Sequence, residues 1–159
     1  MAMVRKIMLS NAPTLKKEAK IEEAAKLLSK TENGCVVVVE SQKPIGIVTE
    51  LDILRGFASG NKSLRDTISS MMSSPVMCMT PDMKLDEALK VIDTKRFRKY
   101  PVVENEKLVG LVTKNDVVHA ISDNIRFHRA IQNIVLIVFV VFELFVFFLY
   151  QPLLSYLGA

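Results

Sequence analysis

The sequence predicts an α/β fold: two β-α-β-β-α repeats packed as one module, followed by a long C-terminal hydrophobic helix. The first observation behind this is an internal repeat. A shift of 64 residues lays Gly46-Ile47-Val48-Thr49-Glu50-Leu51-Asp52 over Gly110-Leu111-Val112-Thr113-Lys114-Asn115-Asp116 without a gap. The same offset pairs Ala24 with Ala88, Val38-Val39-Glu40 with Val102-Val103-Glu104, and Lys43 with Lys107. Self-similarity of this kind fixes an architecture before any single motif does. The second observation is the alternation of helical and strand-like apolar patterns inside each copy. The third is a run from Ile134 to Tyr150 that is apolar on every helical face and broken only at Glu143.

From Lys20 to Thr31, apolar Ile21, Ala24, Ala25, Leu27 and Leu28 recur at helical spacing, and Asn33-Gly34 stops them. Cys35 to Val39 is a β-branched run that reads as a strand. Ser41 to Pro44 is a polar turn containing a proline, Ile45 to Val48 a second short strand, and Glu50 to Ala58 a helix ended by Gly60. The second copy repeats this with a helix near Lys84 to Lys95, strands at Tyr100 to Val103 and Leu108 to Val112, and a helix from Lys114 onward. The expected organisation is residues 1–61 for the first repeat, 62–124 for the second and 125–159 for the hydrophobic helix. A unit of about 60 residues buries too little surface to stand alone comfortably, so the two repeats are expected to pack against each other.

These features resemble the cystathionine-β-synthase (CBS) domain, and the tandem resembles the paired arrangement often called a Bateman module. The resemblance covers roughly Met3 to Asn124. It rests on the Pro101-Val102-Val103-Glu104 strand, the Val109-Gly110-Leu111-Val112-Thr113 strand and the x-x-Asp after it, with the second motif present twice in one register. It implies a non-enzymatic regulatory module that needs no cofactor. Its ligands would be adenosine-containing molecules: AMP, ADP, ATP or S-adenosylmethionine, sometimes cyclic dinucleotides. It would act on an attached or associated protein.

The chemistry of such a site can be read from the residues. Thr49 and Thr113 stand where a strand becomes a helix, so their hydroxyls and the free N–H groups of the first turn suit an anion or a sugar. Asp52 and Asp116, three residues on, offer carboxylates that accept hydrogen bonds from both ribose hydroxyls. The apolar strand residues, with Pro101 and Val102 among them, would form the slot for an adenine ring. Lys95, Arg96, Arg98 and Lys99 crowd ahead of the second repeat's strand, where the resemblance implies phosphate contacts, whereas the first repeat has Thr31, Glu32, Gly34 and Cys35 there. The first repeat also carries Val37 where the second has Pro101. Phosphate binding is therefore expected at the second cleft rather than the first. Arg55 and His119, each three residues after the motif aspartate, are further phosphate-contact candidates, the alternative for each being a solvated helix face. Thr-x-x-Asp at a helix start is also close to a capping box, so both motifs have a purely structural reading.

The hydrophobic run, taken from Ala130 to Tyr150, is about 30 Å long as a helix, the thickness of a bilayer's hydrocarbon core. One central Glu costs about 3 kcal/mol, while about sixteen Leu, Ile, Phe and Val residues each contribute roughly 0.3 to 0.6 kcal/mol toward insertion. Every Lys and Arg lies at or before Arg129, and Glu143 is the one acid after it, so the 21 basic residues of the preceding part face 16 of the 17 acids. Arg126, His128 and Arg129 precede the apolar run, which places the paired repeats in the cytoplasm by the positive-inside rule. Met1 to Lys20 does not read as a signal peptide. The expectation is a single-pass, tail-anchored membrane protein, a homodimer, regulating a membrane channel or transporter. Glu143 is either a contact with a partner or second copy, or a tolerated protonated acid. The alternative for the whole chain is a soluble oligomeric interaction protein whose apolar helix is an assembly interface and whose Thr-x-x-Asp motifs are caps.

Composition narrows the classes further. Cys35 and Cys78 show no C-x-x-C spacing, and His119 and His128 form no metal-ligand pattern, so neither a disulfide nor a metal site is expected. No nucleophile motif, phosphate-binding glycine loop or dinucleotide fingerprint occurs. The net charge of +4 without a basic, aromatic-interleaved stripe points away from nucleic acid and toward an anionic membrane surface. The methionines between Met71 and Met83 read as core filler.

Overall fold

The structure, a computed structural model, describes residues 2–95 and 97–157; Arg96 of the expected basic cluster and the side chain of His128 lie outside the described residues. The first repeat runs β1 (Thr14–Lys16), α1 (Ile21–Leu28), β2 (Cys35–Glu40), β3 (Lys43–Thr49) and α2 (Glu50–Ala58). The second runs α3 (Leu85–Thr94), β4 (Lys99–Glu104), β5 (Lys107–Thr113) and α4 (Lys114–Leu157). Residues up to His119 form one unit and those from Ala120 a second.

Each repeat is built on a hairpin. β2 pairs antiparallel with β3 and β4 with β5, and both ladders shift register at the equivalent place, between Val38 and Val39 and between Val102 and Val103. The turns put both central residues at positive φ, Ser41 and Gln42 at 49° and 70° and Asn105 and Glu106 at 51° and 64°. That is the handedness of a type I′ turn, whose twist matches the strands. Pro44 belongs to β3 and not to the turn: it stands opposite Val39 at the irregularity, where the ladder is interrupted and a missing N–H is tolerated. β1 adds a parallel strand with Leu15 opposite Val38. In the second repeat the same contact, Met79 opposite Val102, is an isolated bridge. The sheets are accordingly three-stranded, β1-β2-β3, and two-stranded, β4-β5.

Strand alternation divides the core. From the first sheet, Val36, Val38 and Val48 face α1 and α2 and join Ile21, Ala24, Leu28 and Ile53. Their counterparts 64 residues on, Tyr100, Val102, Val112, Leu85, Ala88, Ile92 and Val117, are all buried too. The opposite face, Cys35, Val37 and Ile47, packs with Leu111 of β5, so the two repeats share a core between their sheets.

The segments that lead into each repeat are exchanged. Val4, fully buried, donates its N–H to Met83 O (3.0 Å), Met3 bridges Lys84, and Leu9 pairs with Leu111, so the first residues of the chain pack on the second repeat. Arg5 ties the same segment down by ion pairs to Glu104 (2.7 Å) and Asp82 (3.2 Å). Conversely, Thr67 bridges Lys20, Ser73 pairs with Ile47, and Ile68 is buried in the first repeat's core. The expected boundary at 61/62 is thus a boundary in sequence that the packing crosses twice. Gly46 and Gly110 make the close approaches possible, since a Cβ on Gly110 would lie 2.8 Å from Leu9 O and one on Gly46 would lie 2.4 Å from Met72 Sδ.

In the second unit, α4 carries the apolar run. Arg129–Phe148 is 20 residues with a mean hydropathy of 2.5 and no burial, the one stretch among the described residues long and apolar enough to cross a membrane.

Candidate ligand site

Both Thr-x-x-Asp motifs form capping boxes. Thr49 N–H donates to Asp52 Oδ2 (2.8 Å) and Asp52 N–H donates back to Thr49 Oγ1 (3.3 Å). The second copy does the same, with Thr113 N–H to Asp116 Oδ2 at 2.7 Å and Asp116 N–H to Thr113 Oγ1 at 3.2 Å. The two copies differ in one bond: Thr49 Oγ1 also donates to Asp52 Oδ2 (2.7 Å). In both boxes the cap engages Oδ2 and leaves Oδ1 outside it. Each box satisfies two donors at the start of its helix, the N–H of the threonine and that of the aspartate.

Two cavities open at these caps. The first, about 290 Å³, is mostly apolar: Ile47, Leu51, Pro75, Val76, Met77 and Phe97 line it, with Gly34, Thr49, Glu50, Ser73, Arg98 and Lys99. The second, about 600 Å³, is polar and lined by Glu32, Asn33, Arg98, Lys99, Thr113, Lys114, Asn115 and Asp116. Each cavity therefore combines the cap of one repeat with residues ahead of the other repeat's strand. Gly34, at φ +54°, lets the chain pass between Glu50 and Lys99: a Cβ there would lie 3.3 Å from Glu50 Oε2 and 3.4 Å from Lys99 Nζ. Lys99 Nζ also donates to Asn33 O, which holds the lysine across the gap between repeats.

Thr49, Thr113, Asp116, Arg98 and Lys99 of the expected site residues line these cavities. Asp52 lines neither and serves in its cap. Pro101 and Val102 are buried in β4, where Pro101 O accepts from Met79 N–H (2.9 Å). Arg55 and His119 are exposed on α2 and α4 and line neither cavity. The basic residues expected at one cleft, Arg98 and Lys99, line both. Phe97, Met77 and Val76 are further cavity residues; the methionine-rich stretch is core at Met79 but cavity wall at Met77. The signal that could have found Phe97 is its place beside Arg98 in a stretch that is otherwise charged.

Burial raises the Cys35 thiol above its usual range, against an opposing pull from the Lys99 ammonium, and burial raises Cys78 as well. Both stay protonated at neutral pH. Among the described residues no group of three or more His, Cys, Asp or Glu is arranged to hold a metal ion.

Comparison with known proteins agrees with this architecture. The CBS domain profile matches residues 4–59 and 68–123, and the chain belongs to the CBS domain family. An uncharacterized protein of Methanopyrus kandleri is 34% identical over 117 residues, which is 72% of this chain and 58% of the relative. The chain thus spans little more than half of that relative's length. The CBS domain-containing protein YhcV of Bacillus subtilis is 30% identical over 84% of this chain and 96% of its own. Among solved structures, the CBS domain pair of protein MJ0100, in complex with 5-methylthioadenosine and S-adenosyl-L-methionine, superposes with a TM-score of 0.69 at 26% identity, covering 77% of this chain and 98% of that one.

Proposed function

We propose that this chain is a membrane-anchored regulatory module that senses adenosine-containing ligands, AMP, ADP, ATP or S-adenosylmethionine, and transmits its ligand state to a partner. The observation that carries the reading is the pair of cavities at the two caps, which share Arg98 and Lys99, suited to phosphate or carboxylate, beside an apolar wall suited to a purine at Thr49 and the Asp116 carboxylate, suited to a ribose, at Thr113. The similar MJ0100 pair is described with two adenosine derivatives, which supports the ligand class. The span Arg129–Phe148 anchors the module, and Arg126 and Arg129 ahead of it favour a cytoplasmic module. The Thr113–Asp116 cap opens the same helix, α4, that carries the span, so a ligand that prefers one state of that cap biases the helix. Exposed Leu51, Leu54 and Phe57 on α2 support association with a second copy, and Glu143 offers a polar contact to a copy, channel or transporter within the membrane.

The test is titration of the full chain in detergent micelles with AMP, ADP, ATP and S-adenosylmethionine. At least one should raise the melting temperature, because a ligand that binds the native state stabilises it by mass action. Silence across the panel would favour the second reading, which the formed capping boxes support: a CBS pair whose Thr-x-x-Asp motifs are structural and whose apolar helix is an assembly interface. Recovery of the full chain without detergent as a monodisperse soluble oligomer would remove the membrane part.

A further inference from the structure

The two cavities meet at one pair of side chains. Arg98 and Lys99 line both, while every other lining residue belongs to one or the other. The sign of each cavity depends on that pair. The apolar cavity holds Arg98 and Lys99 against Glu50; the polar cavity holds Arg98, Lys99 and Lys114 against Glu32 and Asp116. Each is net basic with the pair, and each is net acidic without it. A phosphate needs a cation within hydrogen-bonding distance; Lys99 Nζ is engaged with Asn33 O on the polar side, so the Arg98 guanidinium, turned to a phosphate in one cavity, is withdrawn from the other.

We propose that Arg98 and Lys99 form a single shared anion clamp, so that a phosphorylated ligand held in one cavity leaves the other suited to an uncharged or cationic adenosine derivative. The inference rests on the ligand class proposed above and adds the coupling between the sites. The polar cavity, with Lys114 and the α4 cap, is the natural seat of the phosphorylated ligand. The apolar cavity, keeping Glu50 and the wall of Phe97, Met77 and Leu51, then takes the nucleoside-like one. Two polyphosphates compete for the clamp, whereas a nucleotide and a nucleoside do not.

The test uses ATP and adenosine with the full chain in detergent micelles and two blocking substitutions at repeat-equivalent, exposed positions, Leu51→Trp for the apolar cavity and Asn115→Trp for the polar one. Thermal unfolding checks that each variant folds, and Ser73→Trp replaces Leu51→Trp should the latter not. In each blocked background the remaining ATP site should lose about 10-fold or more in affinity on Arg98→Ala, the effect of removing a charged hydrogen-bond partner. Adenosine affinity should change less than about 3-fold. A loss on Arg98→Ala in one background alone would show a dedicated cation and overturn the proposal. So would equally tight binding of two ATP per unmodified chain. If the unmodified chain binds neither ATP nor adenosine, the ligand class itself fails and this inference falls with it.

Discussion

Replacing Ile68 with alanine tests the exchange of leading segments between repeats. Ile68 is fully buried among Ile21, Val36 and Val38 of the first repeat, although it lies on the second repeat's side of the sequence. The substitution removes three carbons, about 2.4 kcal/mol of transfer free energy at about 0.8 kcal/mol each, and the residual cavity brings the expected loss to about 2–5 kcal/mol. Hydrogen exchange on the full chain in micelles reads where that loss falls. Amides of α1 and β2 should exchange roughly 50-fold faster or more, and those of α3 and β4 should change less. Val4→Ala, the equivalent substitution at the other end of the exchange, removes two carbons and should give the reverse pattern at about 1.6 kcal/mol or more. Faster exchange on Ile68→Ala confined to α3 and β4 would refute the exchanged packing.

Gly110→Ala places a Cβ 2.8 Å from the backbone oxygen of Leu9, so the variant should lose about 1–3 kcal/mol and become sensitive to limited proteolysis ahead of Leu9; an unchanged digestion pattern and melting temperature would count against that close approach. Asp116→Ala should weaken ATP binding by about 10- to 100-fold in calorimetry and cost about 0.5–2 kcal/mol of stability as a lost cap, whereas Asp52→Ala should show mainly the second effect; a larger binding loss from Asp52→Ala would place ATP at the first repeat's cap and refute its assignment to the second. Because burial raises both thiols, iodoacetamide at pH 8 should label Cys78 and Cys35 more slowly than free cysteine, with half-buried Cys78 ahead of buried Cys35 by mass spectrometry.

Most of the fold is legible in the chain because the repeat supplies two independent readings of each element. The helix from Glu50 to Ala58 ends where Gly60 takes φ +69°, and β2 begins at Cys35 as the β-branched run suggests. The leading strand is part of the expected β-α-β-β-α repeat, but its residues are not legible: Thr14-Leu15-Lys16 is short and mostly polar, and its pairing comes from β2 rather than from its own pattern. Pro44 reads as turn because a proline normally breaks a ladder, and only the register shift opposite Val39 makes room for it. The site is harder. Thr113 and Asp116 follow from the motif, yet the motif equally predicts the cap that both residues form. That Arg98 and Lys99 line the other repeat's cavity as well is a property of how two copies face each other, which a pattern within one copy does not contain. For the same reason Phe97 and Met77 cannot be told from core or surface by spacing alone.

The exchanged segments also set an order of events during synthesis. Met3, Val4 and Leu9 are made before their partners Lys84, Met83 and Leu111, which follow roughly 80 to 100 residues later, about 4–20 s at ordinary elongation rates. Over that interval the first repeat can receive Ile68 and Ser73 as soon as they appear, while the opening segment has nowhere to dock. A nascent chain arrested at Asp82 should leave Arg5 and Lys6 open to trypsin, and one arrested well past Leu111 should protect them. The segment from Met3 to Leu9 is therefore made before the first repeat yet fixed after it, and it closes over the second repeat when α4 is already being translated.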